Sequence, residues 1–185
     1  MKKIKLIRTK FKDLYIVSTT KSIDKRGCFF RAFCQKDMSI FLRNKKIVQI
    51  NISKNKNKGT VRGLHYQIGA YSEKKIVMCL KGEFVDYVVD IRENSSTYLD
   101  YFKIKLSEKD DKILLIPEGF AHGFITTKKN TEILYLHTNE YNKKSERGLN
   151  FQDPALKLNI KVNKKLISKK DYNIKKIDSN FKSYN

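Results

Sequence analysis

The chain has 185 residues, with 40 Lys and Arg against 19 Asp and Glu, a formal charge of +21 and a hydrophobic fraction of 40%. That length can bury one proper core, so residues 1–185 are expected to form a single domain, with its core over about 10–175 and a basic tail beyond. The odd number of cysteines (Cys28, Cys34 and Cys79) and the lack of C-x-x-C spacing exclude a disulfide framework and fit a reducing cytoplasm.

Along the chain, the first seventeen residues are basic, but charges interrupt every apolar run. Neither a signal-peptide core nor a membrane span fits there, so no membrane partner is expected. "DLYIVST" then opens a series of strand-like segments: "KIVQINISK", "KKIVMCL", "EFVDYVVDI", "YFKIKLS", "KILLIPEG", "GFITT" and "TEILYLHTNEY". Each is short, rich in β-branched and aromatic residues, and bounded by Gly, Asn, Ser or charged turns. Residues 34–44 read as a short helix, and the tail after Asp153 has room for another turn or two. Many short strands without alternating helices predict an all-β sandwich or barrel. No internal repeat and no low-complexity linker interrupts the series.

Side chains alternate along a strand, which sorts these segments into faces. Phe84, Asp86, Val88 and Asp90 share one face, opposite Val85, Tyr87, Val89 and Ile91. Ile133, Tyr135, His137, Asn139 and Tyr141 form another set, and Lys75, Val77 and Cys79 a third. For any one strand a plain solvent face would give such a mixture. Paired aspartates among tyrosines resemble the lining of a barrel cavity.

The lysines do not gather into a nucleic-acid patch. "KNKNK" at 54–58, pairs at 128–129 and 143–144, and the tail from Lys157 to Lys182 are scattered, and no DNA- or RNA-binding module accompanies them. They are read as solvated decoration, the alternative being a positive field that draws an anionic small molecule.

"RGLHYQ" at 62–67 poses the question of His65: core residue, metal ligand or base. A cupin-type metal site needs His-x-His followed by a later histidine. Pro117 to His122 matches the later part as P-x-G-x-x-H, but Gln67 stands where the second histidine of the first part belongs. Two distant histidines are too few for a metal, so none is expected.

"RGLHYQ", "KKIVMCLKGEFVDYVVDIRENSSTY", "IPEGFAHGF", "ILYLHTNEYNKKSERGLNFQDPAL" and "LISKKD" together resemble the dTDP-4-dehydrorhamnose 3,5-epimerase family. The resemblance covers roughly residues 10–175. It implies a cupin jelly-roll with a few short peripheral helices, usually a homodimer, that works without cofactor or metal on a nucleotide-diphospho-sugar. The implied reaction inverts carbons 3 and 5 of a 4-keto-6-deoxy sugar, for surface polysaccharide synthesis.

By that resemblance His65 is the base, oriented by the Asp171 carboxylate, and Lys75 stabilises the enolate. Tyr135 returns a proton to the opposite face, with Tyr141 as a second candidate. Arg26, Arg62, Lys170, Gln49 and Asn51 match the nucleotide- and phosphate-binding positions. Asp86 is expected in the pocket, touching substrate or orienting Lys75. His122 is read as a cupin relic reused for substrate contact, and Glu146 as a further substrate contact. Arg62 and His65 are three apart, so a regular strand would point them to opposite faces, and a bulge at Gly63 is expected to bring both into the site.

One departure stands out. The family's nucleotide-contact motif D-x-R-G-x-F-x-E reads here from Asp24 through Arg26 and Phe29 to Arg31, so by the resemblance Arg26, Phe29 and Arg31 are expected substrate contacts, and an arginine replaces the final acid. Sites built from hydrogen bonds discriminate strongly, which makes a GDP-linked sugar, including a heptose, an alternative to a dTDP-linked hexose. Inversion at carbon 3 alone is another. A sugar 3,4-ketoisomerase fits the motifs less well, and a non-catalytic sugar-nucleotide-binding cupin is the alternative from a different class.

Overall fold

The computed structural model describes residues 4–179 and 181–184. Thirteen strands account for most of its regular structure: β1 (Ile4–Arg8), β2 (Tyr15–Thr19), β3 (Ser22–Asp24), β4 (Gly27–Phe29), β5 (Gln49–Asn55), β6 (Val61–Gln67), β7 (Lys75–Lys81), β8 (Glu83–Asp90), β9 (Tyr101–Ser107), β10 (Lys112–Ile116), β11 (Phe120–Thr126), β12 (Thr131–His137) and β13 (Glu146–Gly148). Two short helices are present, α1 (Ser39–Leu42) and α2 (Lys169–Tyr172), with single 3-10 turns at Gly69–Tyr71, Pro154–Leu156 and Lys164–Leu166. Among the described residues no helix is long and apolar enough to cross a membrane.

The strands pair into a six-stranded sheet, ordered β1-β2-β10-β7-β12-β5, and a five-stranded sheet, ordered β13-β6-β11-β8-β9. Every neighbouring pair of strands in these two sheets is antiparallel, which gives the expected all-β jelly-roll sandwich. β3 and β4 form a separate hairpin that joins neither sheet.

The inner strands β7, β8, β10 and β11 are buried on both faces, which explains why they read as near-continuous apolar runs. Phe84, Val88, Phe124, Val77, Leu114 and Ile133 fill the space between the sheets. Tyr87 and Val89, on the outer face of β8, and Ile91 just beyond it pack with Leu149, Phe151, Leu156 and Leu158 of the C-terminal segment. Ile76, Met78, Ile113 and Leu115, on the outer face of the six-stranded sheet, pack under Met38, Phe41 and Leu42. Full burial of each such side chain contributes about 1.5–3 kcal/mol.

The helix expected over 34–44 is confined to Ser39–Leu42. Met38, Phe41 and Leu42 have the i, i+3, i+4 spacing of a buried face, but Met38 offers no side-chain cap and Arg43 adopts φ 54°, which stops the helix after one turn. β12 ends at His137, so Asn139 and Tyr141 do not continue its inner face. Asn139 instead donates to the carbonyl of Ala70 in a neighbouring loop. Sequence patterning also missed β1, the β3–β4 hairpin and β13, all short or at an edge.

The expected bulge is present. β6 pairs His65 with His122 and Arg62 with Phe124, so three residues on β6 oppose two on β11. Gly63 makes this possible at φ 103°, with its Cα so close to β11 that an added Cβ would lie 2.6 Å from Gly123 Cα and His122 O.

Candidate active site

Polar side chains of β5, β6, β7, β11 and β12 line a cavity of three adjoining lobes that share wall residues. One lobe, of about 240 Å³, is lined by Arg62, His122, Phe124 and Tyr135, among others, and a second, of about 330 Å³, by His65, Gln67, Glu73, Tyr141 and Glu146. Both share Asn51, Lys75 and His137. A third lobe, of about 410 Å³, runs from Arg62 and His65 to Ser168, Lys170 and Asp171. A larger basin, of about 1040 Å³, lies by Arg147 and Lys175 and is lined by none of the three histidines.

His65 and Asp171 come together as expected, with Nε2 2.8 Å from Oδ1. Ser168 caps α2 by accepting from the Asp171 amide at 3.0 Å, and the Gly63 amide donates to Asp171 Oδ2 at 3.3 Å. Burial raises the Asp171 carboxyl, but these donors outweigh it and hold it below the usual carboxylate range. A carboxylate acceptor places the imidazole proton on Nε2 and leaves Nδ1 as the nitrogen able to accept one.

Lys75 opens β7 on the facing sheet. Its Nζ lies 3.3 Å from Glu73 Oε1 and donates to the His65 carbonyl at 3.5 Å. Glu73 therefore holds Lys75 directly, while Asp86 feels Lys75 only as a neighbouring charge. Asp86 is fully buried against His122, whose Nε2 is 2.6 Å from its Oδ1. Desolvation raises the Asp86 carboxyl despite the neighbouring His122 and Lys75.

Tyr135 stands on β12, its ring 6.0 Å from that of His122 and 6.1 Å from that of His137. Desolvation, reinforced by the charge of Asp86, raises its hydroxyl well above the ordinary tyrosine value, so it rests protonated. Tyr141 is more than half exposed at the rim, where its hydroxyl donates to Glu146 Oε2 at 3.0 Å. Lys170 pairs with the same carboxylate. Gln49 accepts from the Tyr141 amide at 2.9 Å, and Arg62 Nε donates to Asn55 Oδ1 at 3.0 Å.

Three expected substrate contacts are not in this cavity. Arg26 pairs with Asp24 and Phe29 is 72% exposed, both on the β3–β4 hairpin. Arg31 donates to Asp37 at 3.1 Å, so the charge reversal at this position is met by a local acid. Conversely, sequence reasoning missed Glu73 and gave His137 no role. The two-residue spacing of Glu73 and Lys75 was the available signal. Among the described residues no group of three His, Cys, Asp or Glu could hold a metal ion.

The constellation combines a carboxylate-oriented imidazole, a held ammonium and a protonated phenol, a set that suits proton abstraction beside a carbonyl. Comparison with known proteins agrees. The dTDP-4-dehydrorhamnose 3,5-epimerase family model matches residues 8–179. The enzyme of that name from Shigella flexneri is 38% identical over 178 residues, 95% of this chain and 98% of its own. The dTDP-6-deoxy-D-glucose-3,5-epimerase of Legionella pneumophila, solved in complex with dTDP-4-keto-L-rhamnose, is 32% identical with a TM-score of 0.86, over 94% of this chain and 92% of its own. The Bacillus anthracis dTDP-4-dehydrorhamnose 3,5-epimerase, with TDP and PPi bound, is 29% identical with a TM-score of 0.89, over 94% and 99%. The chain belongs to the dTDP-4-dehydrorhamnose 3,5-epimerase family, an isomerase family of cupin fold.

Proposed function

We propose that this chain inverts carbons 3 and 5 of a dTDP-linked 4-keto-6-deoxy sugar, without a cofactor, for surface polysaccharide synthesis. The observation that carries this reading is the His65–Asp171 pair opening into the same cavity as the Lys75 ammonium. Tyr135 stands on the facing sheet.

In the proposed step His65 Nδ1 takes the proton from the carbon beside the ketone. The C–H pair forms a C=C bond while the carbonyl π pair moves onto oxygen, and the Lys75 ammonium stabilises that enolate. Tyr135 then protonates the other face of the carbon as the carbonyl reforms. The imidazolium and phenolate left behind are reset by one proton passing between them through solvent. Arg62 and Lys170 are assigned to the diphosphate, Gln49 and Asn51 to the nucleotide, and Asp86, His122 and Glu146 to the remaining substrate contacts, with Tyr141 at the rim.

Arg26 and Phe29 fit this scheme through a homodimer in which the hairpin of one copy reaches the cavity of another. The exposed Phe29 and Ile23 on the hairpin, and Ile50 and Ile52 on edge strand β5, support that assembly. Three unpaired thiols support a cytoplasmic setting. Family membership favours thymidine over guanosine, and the local pairing of Arg31 removes the reason to prefer a GDP-linked heptose. Neither that substrate nor inversion at carbon 3 alone is favoured.

Proton NMR in D₂O with dTDP- and GDP-linked 4-keto-6-deoxy sugars tests the reading. Deuterium entering carbons 3 and 5 of the dTDP sugar is the expected result. A folded protein that binds the sugar nucleotide without exchange would be a binding protein instead.

A further inference from the structure

The chain has three histidines, and each lies against a carboxylate on the same cavity: His65 on Asp171, His122 on Asp86 and His137 on Glu73. The first supplies the proposed base and the second lies on the cavity wall by Tyr135. The third has no part in the reaction as written.

Glu73 sits two residues before Lys75, and His137 is directly across the β7–β12 ladder from Lys75. One carboxylate spans both neighbours. Oε2 lies 2.7 Å from His137 Nδ1 and Oε1 lies 3.3 Å from Lys75 Nζ. His137 Nε2 is 3.3 Å from Asn51 Nδ2. Neutral His137, with its proton on Nδ1, satisfies this chain completely: it donates to Glu73 and accepts from the Asn51 amide. The backbone is fixed at the same point, because Lys74 and Thr138 exchange hydrogen bonds of 2.8 and 3.1 Å.

A strand staple alone does not account for this arrangement. The Glu73, Lys75 and His137 side chains are only 7%, 11% and 11% exposed, and burying ionisable groups costs more than an apolar cross-strand pair would. The ammonium is moreover held from two sheets, by Glu73 on one side and the His65 carbonyl on the other. A lysine has a long, freely rotating stem, and fixing its head before substrate arrives is what electrostatic preorganisation requires.

We propose that Glu73, braced by His137, is the positioning residue that fixes the Lys75 ammonium where the enolate oxygen forms. This inference rests on the epimerase reading and deepens it. Its signature is a loss in kcat with little change in KM, since Glu73 sets where a charge stands during the reaction.

The test compares Glu73→Gln, His137→Ala and His137→Asn with the wild type. Glutamine turns one of the two carboxylate oxygens into an NH2 donor, so it faces His137 or Lys75 with a donor instead of an acceptor. Alanine removes the brace, and asparagine keeps a donor near the Nδ1 position. Glu73→Gln and His137→Ala are expected to lower kcat about 10- to 100-fold, the scale of a misplaced group, with KM within about threefold. His137→Asn recovers most of that loss, and this pair decides the matter if Glu73→Gln does not fold. Unchanged kcat in Glu73→Gln or His137→Ala, or a rise confined to KM, overturns the proposal. A second readout needs no turnover: the slowly exchanging ¹⁵N ammonium signal that disappears in Lys75→Arg. It should be present in the wild type and broadened away in Glu73→Gln. Its absence from the folded wild type overturns the positioning role, whereas its presence in a wild type that exchanges no substrate protons refutes the epimerase reading alone.

Discussion

His65 and Asp171 are 106 positions apart in the chain and 2.8 Å apart in space. The first lies on a central strand of the five-stranded sheet, the second on a one-turn helix near the C-terminus. Their meeting depends on the C-terminal segment wrapping the outer face of that sheet, where Leu149, Phe151, Leu156 and Leu158 anchor it against Tyr87, Val89 and Ile91. The His65–Asp171 pair is therefore completed by packing that occurs well outside the cavity.

Removing either partner should stop chemistry more than binding. His65→Ala is expected to lower deuterium exchange at least 10³-fold, and Asp171→Asn about 10²- to 10⁴-fold, the range for a positioned acid–base group. Calorimetric affinity for the dTDP sugar should stay within about threefold. A matching collapse of affinity would make His65 a binding residue.

Tyr135→Phe separates the two halves of the proposed step. Abstraction by His65 survives, so deuterium still enters the substrate by return to the original face. Inverted product should fall by about two orders of magnitude or more. NMR reads exchange and inversion in the same tube, and equal losses in both would show that Tyr135 is not the acid.

Gly63→Ala should cost stability through two effects. A non-glycine residue at φ 103° is strained, and the new Cβ meets Gly123 Cα and His122 O at 2.6 Å, both backbone atoms that cannot rotate away. The combined cost is expected at about 2–5 kcal/mol, measured from the urea midpoint. Loss of activity should accompany it, because the bulge brings Arg62 and His65 to one site.

Acid should destabilise the fold through Asp171, Glu73 and Asp90. Burial raises each carboxyl, but the hydrogen bonds and charges around it outweigh that term and leave its folded pKa below the unfolded value. Each therefore adds stability that is fully present above the unfolded carboxylate range and lost as pH falls through the folded pKa. Asp86 runs the other way, its raised folded pKa favouring the fold on protonation and offsetting part of the loss. Urea midpoints should hold from pH 7 to about 5 and drop below about 4. Asp171→Asn should shrink the drop, and an undiminished drop would remove Asp171 from the account.

Much of this molecule is legible in the residue order. Eight strands announce themselves by β-branched and aromatic runs, and the glycine within "RGLHYQ" predicts the bulge because two functional side chains three apart need one. What patterning misreads is short or terminal: the single-turn α1, the isolated hairpin and the end of β12 at His137, where local propensity is too weak to set a boundary. The order of residues also determines that His65 is flanked by arginine, glycine and tyrosine, that the aspartates of β8 alternate with apolar residues, and which family the chain resembles. Only the tertiary structure decides who pairs with whom. Glu73 takes Lys75 and His137, Asp86 takes His122, and Asp37 takes Arg31, because an ion pair is set by distance and desolvation in the packed molecule, which residue order hints at only for near neighbours such as Glu73 and Lys75.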